Sequence, residues 1–297
     1  MIAEVSKLQG EGIAMRYPSL LDRPDADEVG VAASGEVRIS WRRYGNGPQT
    51  VLFVPTWNFV DSRVLRHQVD GLRDEFRVIT YDARGSGESD HPASGYRFDD
   101  HVADALSVLD ATDTPVASVV AASLGTHVAV LLAVAQPVRV QRLVLVAPPM
   151  DVPGTNAESE GKGEEGPSGP SWRTEYERFV PWFISNVFSE PGSERTIEEV
   201  TAIGLGADHA MLVQQGAELN WDNAPGRLDA VRCPTLVVHG TGDQTLELNA
   251  VKAVAAAIPN ATLRLLDGLG HRPDIRRPDL VNPILVEFLR SGPGDTA

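Results

Sequence analysis

A serine between small residues is the first candidate for chemistry in this sequence. Ser123 lies in Val-Val-Ala-Ala-Ser-Leu-Gly-Thr, residues 119–126, where an apolar run passes into a helical pattern. A nucleophile that protrudes from a tight strand-to-helix bend needs small residues two positions before and after it, and Ala121 and Gly125 satisfy this need. Because serine among small residues is also typical of a helix N-cap, the motif alone leaves both interpretations open.

Two later loops supply the partners that a nucleophilic serine needs. A serine hydroxyl requires a base within hydrogen-bond reach, and that base requires a carboxylate that fixes its tautomer. Asp243 follows the apolar run 235–239, and His271 follows the apolar run 262–266. We therefore predict Ser123 as the nucleophile, His271 as the general base and Asp243 as the acid that orients it.

These three residues must be positioned by strands and helices, and the chain alternates between the two patterns. After two candidates near 28–44, apolar runs predict strands at 50–54, 77–81, 116–121, 142–147, 234–239 and 262–266. Residues 99–109 and 124–135 carry apolar residues at helical spacing. The pattern predicts an α/β fold with a mostly parallel, twisted sheet of about eight strands and helices on both faces.

The predicted core is interrupted once. We expect an N-terminal extension at 1–27, a core made of 28–150 and 226–297, and a flexible loop plus helical lid at 151–225. The loop prediction rests on residues 154–170, which are mainly glycine, serine, glutamate and proline.

An aromatic stripe predicts the helical part of this insertion. Large apolar residues, most of them aromatic, recur at spacings of three and four along a segment without a convincing strand: Trp172, Tyr176, Phe179, Trp182, Phe183, Val187 and Phe188. Packing of the lid onto the body explains most of the stripe. Trp182 and Phe183 are candidates for contact with a substrate.

Four motifs in this order resemble the α/β-hydrolase fold superfamily, in the branch that has a serine nucleophile and a helical lid. Besides the serine motif, residues 234–243 and 268–273 look like the family's acid and histidine loops, and residues 81–90 resemble the turn after its fourth strand. The similarity spans roughly residues 51–289. Serine at the nucleophile position disfavours the dehalogenase and epoxide-hydrolase branches, which use aspartate there.

The resemblance also implies an oxyanion hole made by two backbone N–H groups. Leu124 supplies one, and matching residue by residue assigns the second to Trp57. Most relatives have His-Gly before that position, whereas this chain has Pro55-Thr56, and threonine tolerates fewer backbone conformations than glycine. Asn58 and Phe59, which follow Trp57, are further candidates for the substrate pocket.

Composition excludes several partners and cofactors. The formal net charge of −15 argues against general binding to nucleic acid or to anionic membrane, and no apolar run is long enough to span a bilayer. One cysteine, Cys233, fits a cytoplasmic protein. Without a Walker lysine or a His/Cys cluster, we expect no cofactor and no metal. The expected partner is a small-molecule substrate, and the oligomeric state stays open.

The predicted reaction is hydrolysis of an ester or thioester of a small, largely apolar molecule through an acyl-enzyme. Two alternatives stay open at this point. The same triad could serve a biosynthetic acyltransferase, cyclase or lyase, or the fold could act as a non-catalytic receptor for a small molecule.

Overall fold

Eight strands form one sheet in the part of the chain that the computed structural model describes, which comprises residues 17–152, 169–221 and 224–290. They are β1 (Glu28–Ser34), β2 (Val37–Tyr44), β3 (Thr50–Val54), β4 (Arg77–Tyr81), β5 (Ala117–Ala122), β6 (Val140–Val146), β7 (Thr235–Gly240) and β8 (Ala261–Leu266). The order across the sheet is β1-β2-β4-β3-β5-β6-β7-β8. The pairs β1–β2 and β2–β4 are antiparallel, and the other pairs are parallel.

The described α-helices connect these strands or follow the last one. They are α1 (Arg66–Leu72), α2 (Phe98–Ala111), α3 (Gly125–Ala135), α4 (Tyr176–Val187), α5 (Glu194–Leu205), α6 (His209–Glu218), α7 (Leu248–Ala257), α8 (Pro273–Arg276) and α9 (Pro278–Arg290). We call α4, α5 and α6 the inserted helices, because they lie between β6 and β7.

The strands are apolar on both sides because helices cover both faces of the sheet. In β3, Val51 and Phe53 belong to one core cluster, and Leu52 and Val54 belong to the other. The first cluster includes residues of α1, α9 and the inserted helices, and the second includes residues of α2, α3 and α7. The sequence of a strand that is covered on both faces is a nearly continuous hydrophobic run, as in β5.

The predicted fold class is confirmed, with small shifts at element ends. The strands at 50–54 and 77–81 have the predicted bounds, and the later strands shift by one or two residues. At the edge of the sheet, β8 is only partly buried. Most of the predicted loop at 154–170 lies outside the described residues, as does most of the N-terminal extension.

Two histidines are buried where α2 and α3 pack against the sheet. His127 on α3 is 1% exposed and stacks on Phe98, with ring centroids 4.8 Å apart. Burial lowers the pKa of His127 from 6.5 to about 4. Burial also lowers the pKa of His101 on α2 to about 4, although the nearby Asp104 carboxylate acts in the opposite direction. Both imidazoles are therefore neutral in the folded protein at neutral pH.

This burial predicts a loss of stability in mild acid. Between pH 6.5 and about 4 the unfolded chain binds a proton at each histidine that the folded chain does not bind. The free energy of unfolding should fall as the pH drops through this window, by about 1.4 kcal/mol per pH unit for each histidine. Urea unfolding at pH 7 and pH 5 measures the fall. His127→Phe keeps the stack on Phe98 and should make the fall smaller, because a phenyl ring binds no proton in either state. An equal fall in His127→Phe and the wild type would contradict the assignment.

Candidate active site

The segment around Ser123 forms a sharp bend between β5 and α3. Ser123 directly follows β5 and has a φ of 51°, in the left-handed region that a residue with a side chain rarely adopts. Its N–H donates to the Val146 carbonyl of the neighbouring strand at 2.8 Å. Gly125 must be glycine, because a Cβ there would lie 2.2 Å from the carbonyl oxygen of Pro55. Only a residue without a Cβ therefore allows α3 to start this close to the loop after β3.

The structure brings the three residues of the predicted triad into one hydrogen-bonded chain. The Ser123 hydroxyl lies 2.9 Å from His271 Nε2, and His271 Nδ1 lies 2.8 Å from Asp243 Oδ2. A carboxylate can only accept, so the proton belongs on Nδ1, and Nε2 is free to accept from the serine hydroxyl. His271 is 4% exposed, whereas Ser123 is only half-buried. The serine hydroxyl is thus bonded to a buried base while the residue that carries it stays partly exposed.

Asp243 is held as a charged carboxylate. Burial raises the pKa of Asp243, but the His271 imidazole and hydrogen bonds from Thr245 outweigh burial, so this pKa lies below its usual value. Oδ1 accepts from the Thr245 N–H at 2.7 Å, the Thr245 hydroxyl at 2.8 Å and the Leu246 N–H at 3.2 Å. Oδ2 is left to accept from His271. A carboxylate fixed in this way can orient the imidazole and stabilise the imidazolium cation.

Two neighbours of the triad were missed by the sequence analysis. The Thr245 hydroxyl lies 2.8 Å from His271 Nδ1 as well as from Asp243 Oδ1, so it touches both the imidazole and the carboxylate. A threonine two residues after an aspartate is a local signal for such a turn, and it could have been used. His239, 1% exposed, has its Nδ1 3.8 Å from Asp243 Oδ2, and burial lowers the pKa of His239. It is therefore a neutral neighbour of the carboxylate.

The two predicted oxyanion donors lie on backbone segments that touch each other. Leu124 is the N-cap of α3, and the first N–H groups of a helix have no acceptor within the helix. The loop that carries Trp57 meets this end of α3 at Pro55 and Gly125. Thr56 is not among the described non-glycine residues with positive φ, so its replacement of glycine does not force a strained backbone there. The assignment of Trp57 and Leu124 as donors stays a prediction.

The predicted pocket residues differ in where the structure places them. Asn58 is 2% exposed, and its side-chain N–H donates to the Arg84 carbonyl at 2.7 Å, so this amide helps to hold the loop after β4. Phe59 is 5% exposed and packs in the core. Phe183 and Trp182 are only partly buried. Phe183 meets Trp57 edge to face, with ring centroids 5.4 Å apart, so an apolar contact joins the inserted helices to the loop that carries the predicted donor.

Asp82, which lies in the turn after β4, is a buried carboxylate with a structural position. Its carboxylate is fully buried and accepts from the backbone N–H groups of Ser62 and Glu88, at 2.9 and 3.0 Å. It also pairs with Arg23 at 3.0 Å. Asp82 therefore fastens three loops together and is not free to orient a histidine.

The described ranges contain neither a candidate metal cluster nor a candidate membrane span. No group of three His, Cys, Asp or Glu side chains there is arranged to hold a metal ion. No helix in the same part of the chain is both long and apolar enough to cross a bilayer.

Comparison with known proteins gives matches over most of the chain. The profile of the alpha/beta hydrolase family matches residues 51–284. A non-heme chloroperoxidase of Streptomyces lividans is 31% identical over 243 residues, which cover 74% of this chain and 84% of that protein. A 3-oxoadipate enol-lactonase of Acinetobacter baylyi is 23% identical over 250 residues, which cover 83% of this chain and 91% of the lactonase.

Solved structures match the fold. The crystal structure of a bromoperoxidase from Bacillus anthracis superposes with a TM-score of 0.79 at 21% sequence identity, covering 89% of this chain and 100% of the other. At this identity the match concerns the architecture alone.

The position of Thr245 predicts the effect of removing its hydroxyl. Thr245→Val keeps the side-chain shape but takes one hydrogen bond from the charged Asp243, which is worth about 1.5–3 kcal/mol. We expect Ser123 to react with a fluorophosphonate about tenfold more slowly in this variant, as followed by mass spectrometry. Thr245→Ser keeps the hydroxyl and should restore most of the rate. Equal rates in Thr245→Val and the wild type would show that the hydroxyl does not support the triad.

Proposed function

The chain belongs to the alpha/beta hydrolase family, and we propose that within this family it is a serine hydrolase that cleaves an ester or thioester of a small, largely apolar molecule. The observation that carries the proposal is the chain of two hydrogen bonds from Asp243 through His271 to Ser123. A half-buried serine hydroxyl bonded to a buried, carboxylate-oriented imidazole is the arrangement that acyl transfer requires. The relative named an enol-lactonase, whose substrate by that name is a cyclic ester, supports the same bond type.

In the first half of the proposed reaction, Ser123 Oγ attacks the carbonyl carbon of the substrate. His271 Nε2 takes the hydroxyl proton, and the Asp243 carboxylate stabilises the imidazolium that forms. The carbonyl oxygen becomes negative and is bound by the N–H groups of Trp57 and Leu124. The bond to the alcohol or thiol then breaks, and the leaving group departs with the proton from His271. An acyl group stays on Ser123.

In the second half, water replaces the alcohol. His271 removes a proton from a water molecule, whose oxygen attacks the acyl carbon. The negative oxygen of the tetrahedral intermediate is again bound by the N–H groups of Trp57 and Leu124. Its collapse releases a carboxylic acid, and the proton returns from His271 to Ser123. The enzyme is regenerated without a cofactor.

We assign the inserted helices to the role of a lid. They contribute Phe183 to an aromatic group with Trp57, Phe59 and Phe179, in which neighbouring rings lie 5.2–5.9 Å apart. An aromatic wall of this kind excludes water and favours an apolar substituent beside the ester carbonyl. This is the reason for proposing a small and largely apolar substrate.

The name of another relative favours a second candidate activity. The Streptomyces lividans protein, which is 31% identical, is named a non-heme chloroperoxidase. Oxidation of chloride by hydrogen peroxide is therefore a second activity to assay. If this chain carries it, halogenation of an added phenol will require both hydrogen peroxide and Ser123.

The proposal is tested by labelling and by turnover. Incubation with a fluorophosphonate followed by peptide mass spectrometry should place one adduct on Ser123. Short p-nitrophenyl esters should be hydrolysed, and Ser123→Ala should reduce kcat by at least 1,000-fold, because nothing replaces the nucleophile. The folded state of the variant is checked by its circular dichroism spectrum and its thermal unfolding midpoint.

Other results of the labelling and turnover experiments would indicate other functions. A protein that binds a small molecule without labelling at Ser123 is a receptor rather than a hydrolase. Labelling followed by transfer of the acyl group to an added alcohol faster than to water indicates an acyltransferase. Full hydrolysis by Ser123→Ala would refute the assigned nucleophile.

A further inference from the structure

We propose that Glu190 is a positioning residue for the general base, and that through it the inserted helices control the geometry of the triad. This inference rests on the proposed function of Ser123 and His271. Glu190 lies three residues after the end of α4, in the turn formed by residues 188–193. Its carboxylate Oε1 accepts from the backbone N–H of Gly270 at 2.6 Å, and Gly270 directly precedes His271.

The loop that carries His271 needs support from outside. It follows β8 as Asp-Gly-Leu-Gly-His, residues 267–271, and two of these five residues are glycines without side chains that could pack. Gly268 has a φ of 70°, so the chain turns there in a conformation that favours glycine. Contacts from neighbouring segments must therefore fix where the imidazole lies between Ser123 and Asp243.

The bond from Gly270 to Glu190 is the short contact next to the base. The neighbouring His271 N–H donates to the Val187 carbonyl at 3.3 Å, and Leu269 N–H donates to the Leu266 carbonyl at 3.4 Å, so both bonds are long. A hydrogen bond to an ionised carboxylate is shorter and stronger than one to a neutral carbonyl. Glu190 thus holds the backbone directly before His271 from the side of the inserted helices, and the Gly242 N–H, which donates to the Leu269 carbonyl at 2.8 Å, holds the same loop from the side of β7.

The fit around this carboxylate is tight. A Cβ at residue 270 would lie 3.0 Å from the Glu190 carboxyl carbon, so any larger residue there would crowd the carboxylate and shift it from its present position. Glu190 Oε2 is buried and has no hydrogen-bond partner among the described residues. Burial of an unpaired carboxylate oxygen is unfavourable. Its presence beside the candidate base indicates that this position does more than stabilise the fold.

Arg276 fastens the same turn to the segment after the base. Its guanidinium donates to Ser193 Oγ at 2.8 Å and to the carbonyls of Pro191 and Gly192 at 3.0 and 2.6 Å. The 188–193 turn is therefore bonded to the chain on both sides of His271. Because this turn connects α4 to α5, a shift of the inserted helices is transmitted to the backbone of the base. Substrate seated against these helices would favour the aligned triad.

Three substitutions at position 190 distinguish the effect of side-chain length, which sets its reach, from the effect of its charge. Glu190→Asp keeps the charge but is one methylene too short, Glu190→Gln keeps the reach and an acceptor oxygen, and Glu190→Ala removes both. We expect kcat for a p-nitrophenyl ester to fall about tenfold in the Asp and Ala variants, with KM changed less than twofold. The Gln variant should retain more than a third of the wild-type kcat. If Asp keeps the wild-type kcat and Gln loses it, charge alone matters and the positioning role is wrong.

A spectroscopic measurement distinguishes positioning from simple stabilisation. The proton on His271 Nδ1, bonded to Asp243, should give a downfield ¹H resonance that is missing in His271→Ala. We expect this resonance to persist in Glu190→Gln and to broaden or disappear in Glu190→Asp and Glu190→Ala. A purely structural role would lower the thermal unfolding midpoint and leave both the resonance and kcat as in the wild type.

A double-mutant cycle tests the contact itself. Gly270→Ala should push the carboxylate away and lower kcat about as much as Glu190→Ala. In the double variant, Gly270→Ala should lower kcat less than twofold below the value for Glu190→Ala alone, because the contact is already lost. Additive effects would overturn the proposal. Failure of the proposed function gives a different result, since the wild type would then neither label at Ser123 nor hydrolyse the ester.

Discussion

The proposed function of this protein depends on one hydrogen bond, which joins the hydroxyl of Ser123 to Nε2 of His271 at 2.9 Å. A serine hydroxyl is inert at neutral pH unless a base lies in line with its proton, and a displacement of an ångström removes most of the benefit. The bond joins residues that are 148 positions apart in the chain. Every element that fixes either end therefore contributes to reactivity, including elements that never approach a substrate.

The parallel sheet brings the partners together. Ser123, Asp243 and His271 follow β5, β7 and β8, and the carboxyl ends of parallel strands share one edge of a sheet. Local details then set the fine geometry. The left-handed backbone at Ser123 turns its side chain out of the sheet, and the contact between Gly125 and Pro55 seats α3 against the loop after β3. The nucleophile and the predicted oxyanion donors are thus parts of one rigid corner.

The sequence was sufficient to predict the fold class and the three residues that meet at this corner, because each follows an apolar strand in the required order. It could not show the direction of Asn58, which lies in the expected loop but turns its amide toward the Arg84 carbonyl. Glu190 was also out of reach, because its contact with Gly270 spans 80 positions and depends on how the inserted helices pack. Local patterns reveal strands and turns, whereas such contacts exist only after folding.

The packing of the inserted helices limits how a substrate can reach the candidate active site. Side chains such as Tyr176, Val180 and Ile184 belong to the same hydrophobic core as α1 and α9. Exposing one large apolar side chain costs about 1.5–3 kcal/mol, so lifting all three helices would approach the whole stability of a typical domain, about 5–15 kcal/mol. With the inserted helices as the proposed lid, a substrate would enter through small displacements of partly exposed rings such as Trp182 and Phe183. The energy of that displacement rises with the width of the substrate, so the proposed lid would also select substrates by size.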